Sequence, residues 1–299
     1  MRITEVLVAA RAPFLSATMV NVLFLTCYSG ANGYVPDFFQ ALFVFLGTAF
    51  LHLGANTLND FSDWDRSDRI NLNASPFNGG SRNTPGLKLE KHHFAYFSLV
   101  FFSMAVVSGI IVIFAYRRPL VIVPGVLGLL AGIFYSFWGN GLQSKGIGEF
   151  IIFMGFGPLL GLGVMYVYTG ELSFQWLILG IPGGMTVVII LLVNEIPDYE
   201  SDLLSGKKNI AVLLGRKYIP FIAAACMLTA SFFQIYIWFA GSMNKWAGII
   251  SIGSLVFGLF LLLKIYKKVI KNKKITALQG GVILWQFLTM SVGSIAFFI

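Results

Sequence analysis

Nine stretches of about twenty mainly apolar residues follow one another along the chain, and a run of that length is what one helix needs to cross a bilayer. They fall near 12–30, 38–58, 92–115, 119–138, 147–168, 174–196, 218–240, 246–266 and 277–298. Of the 299 residues, 57% are hydrophobic and only 11% charged, less than half the charge a soluble domain carries. That balance excludes a water-soluble enzyme, a disordered chain and a secreted disulfide scaffold. The two cysteines, Cys27 and Cys226, lie inside apolar runs and read as small packing residues. The expected fold is all-α: a single domain, residues 1–299, built as a polytopic bundle of nine transmembrane helices.

The net charge of +8 would be a nucleic-acid signal in a soluble protein. Here its distribution gives another reason. With the N-terminus placed in the cytoplasm, 18 of the 21 Lys and Arg residues fall on the inner side and three (Arg117, Arg118 and Lys245) on the outer. This is a strong positive-inside bias. It predicts an integral protein of the cytoplasmic (inner) membrane and no nucleic-acid partner. The first run is expected to be a span rather than a cleavable signal, because Asn32-Gly33 and a second span follow it without a small-residue cleavage site. The GxxxG pairs Gly128/Gly132 and Gly157/Gly161 predict close helix packing, and the lone His52 a hydrogen-bonded core residue.

Eight of the 13 acidic residues lie in two clusters. One is Asn59-Asp60-Phe61-Ser62-Asp63-Trp64-Asp65-Arg66-Ser67-Asp68, preceded by Asn56. The other is Asn194-Glu195-Ile196-Pro197-Asp198-Tyr199-Glu200-Ser201-Asp202. Each follows an apolar run directly, each opens a long inner loop (59–91 and 197–217), and both face the cytoplasm. On a helix, Asp60 and Asp63 stand about 60° apart, and Asn194, Asp198 and Asp202 form one stripe. Carboxylates gathered on one face repel unless a cation lies between them. Oxygen-only sets suit hard cations, and Mg²⁺ is usually held by one or two carboxylates together with substrate phosphates. Two facing stripes therefore predict a site for a Mg²⁺-bound diphosphate. Gly79-Gly80-Ser81-Arg82 adds backbone N–H groups and a forked cation for an anion. Lys145 and Lys207 are further inner-side cations. A cation transporter would place acidic residues toward the outer side, where only Asp37 and Glu171 lie; a non-catalytic docking protein is the third reading.

These segments resemble the UbiA superfamily of intramembrane prenyltransferases, most closely the branch that prenylates 1,4-dihydroxy-2-naphthoate on the way to menaquinone. The resemblance rests on Asn59-Asp60-x-x-Asp63 with a later Asp, on Pro76-Phe77-x-Gly79-Gly80-Ser81-Arg82, on Phe134-Tyr135-Ser136 leading to Gly148-Glu149, and on Asp198-x-x-x-Asp202 running into Gly206-Lys207-Lys208-Asn209, over roughly residues 10–220. It implies Mg²⁺ as cofactor, with Asp60, Asp63, Asp68, Asp198 and Asp202 as ligands, and an isoprenyl diphosphate donor whose tail lies in the lipid bilayer. Tyr135 is implied to stabilise an allylic cation. Asn56, Asn59, Arg82, Lys145, Glu149, Asn194 and Lys207 are implied as substrate contacts. The acceptor is expected to be aromatic, a quinone precursor; a 4-hydroxybenzoate, a glycerol phosphate lipid, a porphyrin or terpene cyclisation are the alternatives. The sequence departs from the pattern at Pro197 and Leu203, where Arg is common, and at Asp68, which leaves Asp65 and Asp68 both open as the residue completing the first site.

Overall fold

A computed structural model describes residues 5–6, 9–11, 14–137, 141–240 and 245–298. The expected start of the first run at 12 and end of the fourth at 138 lie outside the described residues, as does Arg2. Those described form helices and short turns, and no β-strand occurs among them. In chain order the helices are α1 (Leu15–Ala31), α2 (Phe38–Asp63), α3 (Ser67–Ile70), α4 (Lys91–Ala115), α5 (Ile122–Ser136), α6 (Gly148–Phe156), α7 (Pro158–Thr169), α8 (Phe174–Leu204), α9 (Ile210–Leu214), α10 (Ile219–Ala240), α11 (Lys245–Val269) and α12 (Thr276–Ile295).

Eight helical stretches are long and apolar enough to span a bilayer, with α6 and α7 together forming one of them; α1, at 17 residues, is shorter. The protein is an integral membrane protein. Large apolar side chains such as Leu99, Phe114, Phe174 and Phe232 point outward, as lipid-facing residues do. Helix α8 is the axis of the bundle: 72% of its most apolar stretch is buried, against 11% for the stretch Pro119–Ser136. One core cluster joins Ile189, Leu192 and Ile196 of α8 to Ile219, Met227, Ile265 and Trp285. A second joins Val22 and Phe24 of α1 to Met165, Leu179 and Met290.

Several polar groups inside the bundle are paired with one another, since hydrocarbon offers them no water. The Gln286 side-chain amide donates to the Ala17 carbonyl at 3.2 Å and to Asn21 Oδ1 at 3.1 Å. Gln40 donates to the Val167 carbonyl at 2.8 Å. Asp37 caps α2 by accepting from the Gln40 amide at 2.9 Å. The fifth span is broken at Gly157-Pro158, which separates α6 from α7. Here the expected close packing is real: a Cβ on Gly180 would lie 2.0 Å from the Gly157 carbonyl oxygen, and one on Gly161 2.3 Å from that of Trp176. Gly132 makes only ordinary contact, 3.4 Å from Ala55.

Two helices run on beyond the apolar runs that predicted them. Helix α2 has 26 residues and α8 has 31, about 39 and 46 Å of rise against a hydrocarbon core of about 30 Å. The expected loops at 59–91 and 197–217 thus begin as helix, and the last turns of α2 and α8 project beyond the apolar layer on the same side. Pro197 lies within α8, and the helix continues past it to Leu204.

Candidate active site

The ends of α2 and α8 enclose a cavity of about 200 Å³. Asp63 and Asp68 line one wall, Asp198 and Asp202 the other. Asp60 lies just behind the first wall, fully buried, where it pairs with Arg11 and accepts from the Ser81 amide at 3.1 Å. The two sets, at least 130 residues apart in sequence, meet through Lys207. Its Nζ lies 2.7 Å from Asp63 Oδ2 and 3.5 Å from Asp202 Oδ1. Burial disfavours the charged form of both Lys207 and Arg11, but the neighbouring carboxylates outweigh it and raise both above the ordinary Lys and Arg values.

The second wall is held by amides. Asn71 donates to Asp198 Oδ1 at 2.6 Å, and Asn78 donates to the same oxygen. Asn209 donates to Asp202 at 2.8 Å, and its own side-chain oxygen caps α9 by accepting from the Val212 amide at 2.9 Å. On the first wall Gln143 donates to both Asp63 oxygens at 3.3 and 3.4 Å, and Asn59 donates to Gln143 at 2.9 Å. Asn194 accepts from Gln279 at 3.0 Å, and Asn56 donates to the Ala10 carbonyl at 3.3 Å.

Asp65 and Asp68 stand in different surroundings. The Asp65 side chain is 54% exposed and pairs with Lys91 at 2.8 Å and Arg82 at 3.4 Å, outside the cavity. Asp68 lies in α3, 5% exposed, with Oδ2 lacking a hydrogen-bond partner among the described residues. Burial, then the nearby Asp60 and Asp63, push its carboxyl up to about 8. Gly80 makes room for it: a Cβ there would lie 1.8 Å from Asp68 Oδ2, and the φ of +72° with ψ of 157° belongs to a region essentially restricted to glycine.

Tyr135, Asn56, Asn59, Asn194 and Lys207 also line the cavity. Arg82 and Lys145 are not among the lining residues. Arg82 stacks over Trp64 and donates to its carbonyl, and Lys145 is exposed. Glu149 is buried, and its Oε1 accepts from the Ile210 amide at 2.6 Å. Residue patterns did not single out Arg11, Gln143, Asn71, Asn78 or Glu195 for the site. Arg11 left one signal: it is a cation directly before the first span, at the level of the carboxylates. The neutral amides left none.

Farther into the membrane the cavity becomes apolar, lined by Phe14, Ala17, Ile152, Phe156, Val187 and Ile190. His52 marks this depth, eight residues and so about 12 Å before Asp60 on α2. Its Nδ1 lies 2.6 Å from Thr18 Oγ1, and its ring meets Phe156 edge-on. The site therefore joins a charged mouth to a greasy interior.

No three acidic, His or Cys side chains among the described residues are grouped to hold one ion by themselves. The donor set nonetheless fits Mg²⁺. It is all oxygen, it offers carboxylates on two walls, it leaves Asp68 Oδ2 unspent, and diphosphate and water can complete the shell.

Comparison with known proteins agrees with this architecture. The profile of the UbiA prenyltransferase family matches residues 20–290. The chain is 26% identical to the 1,4-dihydroxy-2-naphthoate octaprenyltransferase of Bacillus subtilis (strain 168) over 228 residues, 76% of this chain and 70% of that one. It is 25% identical to the digeranylgeranylglyceryl phosphate synthase of Thermococcus gammatolerans over 201 residues, 65% of this chain and 64% of that one. Its fold matches a UbiA homolog from Archaeoglobus fulgidus bound to DMAPP and Mg²⁺, with a TM-score of 0.65 at 13% identity over 96% of this chain and 99% of that one. With nearly its whole length matched by the family profile, the chain belongs to the UbiA prenyltransferase family.

Proposed function

We propose that the enzyme transfers a polyprenyl group from an allylic isoprenyl diphosphate to an aromatic acceptor, 1,4-dihydroxy-2-naphthoate or a related quinone precursor, inside the cytoplasmic membrane. The observation that carries this reading is the convergence of two remote carboxylate pairs, Asp63/Asp68 and Asp198/Asp202, across one cavity with an apolar interior. A long donor has the same two ends. The cavity is smaller than the several hundred Å³ of common ligand pockets, so it suits the diphosphate and the first part of the chain, with the rest running out between helices.

Asp60, Asp63, Asp68, Asp198 and Asp202 would hold Mg²⁺, which, when bound, would offset the diphosphate charge and improve it as a leaving group. Lys207, between the walls, is placed to turn toward phosphate oxygens. Tyr135 presents an aromatic face to positive charge developing at the allylic carbon. A ring carbon of the acceptor then bonds to that carbon. The positive-inside bias supports an inner-side site with the N-terminus in the cytoplasm, and α1, packed in the bundle with Val22 and Phe24 buried, serves as the ninth span. The Thermococcus gammatolerans relative, a digeranylgeranylglyceryl phosphate synthase by name, supports a second reading, in which the acceptor is a lipid alcohol.

The test incubates purified protein with a radiolabelled polyprenyl diphosphate and a panel of dihydroxynaphthoate, 4-hydroxybenzoate and glycerol phosphate acceptors. Product is expected on the naphthoate, abolished by EDTA and restored by Mg²⁺, and lost in Asp60→Ala and Asp198→Ala. Full turnover in those variants would refute the site, and product only on glycerol phosphate would refute the acceptor.

A further inference from the structure

Helix α12 lies well beyond both acidic segments in sequence, yet it reaches the candidate site through Gln279. This residue is in the first turn of the helix and is 1% exposed. A buried amide in a membrane helix must find its partners on other segments. Gln279 Nε2 donates to Asn194 Oδ1 of α8 at 3.0 Å and to Asn78 Oδ1, in the loop that carries Gly79 and Gly80, at 3.3 Å. Both hydrogens of the amide are thus spent on residues that line the cavity. The next residue, Gly280, seats the same loop: a Cβ there would lie 3.1 Å from Phe77 Cζ.

The direction of these bonds is set from outside the pair. Asn78 Nδ2 faces the Asn73 carbonyl at 3.1 Å and also Asp198 Oδ1. A backbone carbonyl only accepts, so this end of Asn78 is its NH2 and the oxygen faces Gln279. The Ser75 hydroxyl donates to that same oxygen. Gln279 must then present its own NH2, and Asn194, which meets the same nitrogen, answers with its oxygen. The NH2 of Asn194 is left over, with no hydrogen-bond partner among the described residues, on a side chain that lines the cavity. Turning the Asn194 amide over would set two NH2 groups against each other, forfeiting one bond and leaving a buried donor unpaired. Asn194 lies one turn before Asp198, about 6 Å nearer the apolar interior. That is the level at which a bound donor changes from diphosphate to chain.

We propose that Gln279 is a positioning residue that holds the Asn194 NH2 toward the ester oxygen of the donor diphosphate. The inference rests on the prenyl-transfer reading above and adds to its machinery a helix outside both acidic segments. As the allylic C–O bond breaks, its electron pair stays on that oxygen and leaves with the diphosphate, so negative charge grows there. A hydrogen-bond donor already aimed at the oxygen opposes that charge more in the transition state than in the bound donor. The contribution of Gln279 should therefore fall on kcat rather than on KM. It should vanish where position 194 has no amide to aim.

The experiment is a double-mutant cycle on the full chain, with Gln279→Met, Asn194→Ala and the two combined, assayed on the acceptor that wild type prenylates. Asn194→Ala is expected to lower kcat about 100-fold and Gln279→Met about tenfold, with the KM for the donor within about threefold of wild type. The combined variant should match Asn194→Ala within about threefold, because residues that act through one another are not additive. Gln279→Glu keeps the shape of the side chain but carries at most one donor hydrogen for two acceptors. It should unfold at the wild-type temperature and still lose at least about threefold in kcat, which keeps the test alive where the Met variant folds poorly. Losses that multiply to about 1,000-fold in the combined variant, a change confined to KM, or wild-type kcat in Gln279→Glu would overturn the positioning role and leave prenyl transfer standing. Wild type that transfers no prenyl group to any acceptor would remove that reading, and this inference with it.

Discussion

The two carboxylate sets differ in what holds them before any substrate arrives. The α2 set is covered by cations: Arg11 on Asp60 and Lys207 on Asp63. The α8 set is held chiefly by neutral amides, with Asn71 and Asn78 on Asp198 and Asn209 on Asp202, while Lys207 stands farther off at 3.5 Å. Amides fix a carboxylate's direction without cancelling its charge. The α8 wall therefore has only the more distant Lys207 as a counter-ion among the described residues, and the α2 wall presents carboxylates with cations in contact. A buried charge pair adds little net stability but is costly to break, so the two walls should respond differently to the same substitution.

The largest effect is expected at Asp198, which lines the cavity, and at Asp60, buried behind the first wall. Asp198→Asn and Asp60→Asn should each lower turnover by about 10³-fold, since each would weaken the hold on Mg²⁺, whose charge would oppose that of the leaving diphosphate. Their stabilities should separate. The Asn71 and Asn78 amides can still donate to the remaining side-chain oxygen at position 198, whereas Asp60→Asn leaves Arg11 without its partner and should cost up to about 3 kcal/mol, the low end for a buried pair. Product assays together with thermal unfolding in detergent check both arms. Equal stability losses would break the contrast between the walls.

Next comes Lys207→Met, which removes a side chain that bridges the walls. Turnover should fall by about 10²-fold, the scale of one charged contact to the leaving group. Without its cation the site should become unstable on its own and be rescued by divalent metal. Unfolding temperature is expected to drop in EDTA and recover in millimolar Mg²⁺, while Mn²⁺ should bind more tightly than to wild type by paramagnetic titration. Unfolding that does not respond to metal would mean that Lys207 is not standing where metal binds.

How far these contrasts could be read in advance depends on the kind of residue. Apolar runs reveal the helical membrane fold, because hydrocarbon imposes its length on each segment separately. Asp60, Asp63, Asp68, Asp198 and Asp202 stand out as a candidate site because so few charges occur in the chain. Helix ends were misjudged: hydropathy stops at the membrane surface, but the hydrogen-bonded backbone of α2 and α8 continues for another turn or two. Gln143, Asn71 and Asn78 escaped notice because a neutral amide in a loop looks like any surface residue until folding brings a carboxylate to it. Arg82 was attractive by motif, yet cation–π stacking on Trp64 turns it outward. Gly80 sits between these cases. Its place in a Gly-Gly pair was visible, but the reason for it, Asp68 Oδ2 lying where a Cβ would go, is tertiary. Gly80→Ala should cost about 1–3 kcal/mol from the glycine-only backbone geometry alone and reduce turnover by about tenfold, measured by the same assays.

The smallest expected effect gives the sharpest comparison, because Asp65 and Asp68 are neighbours with the same chemistry. Asp65 pairs with Lys91 and Arg82 where water screens both, and exposed pairs contribute about 0–1 kcal/mol. Asp65→Asn is therefore expected to leave turnover within twofold and stability within about 0.5 kcal/mol of wild type. Asp68→Asn keeps the shape but removes the carboxylate that faces the cavity, so it should lower turnover at least 100-fold at saturating donor and weaken Mn²⁺ binding. The measurement is a side-by-side titration of Mg²⁺ against initial rate for the two variants. If the Asp65 variant needs more Mg²⁺ and the Asp68 variant does not, the α2 wall has been completed with the wrong carboxylate, and the turn between α2 and α3 would have to rearrange to bring Asp65 inward.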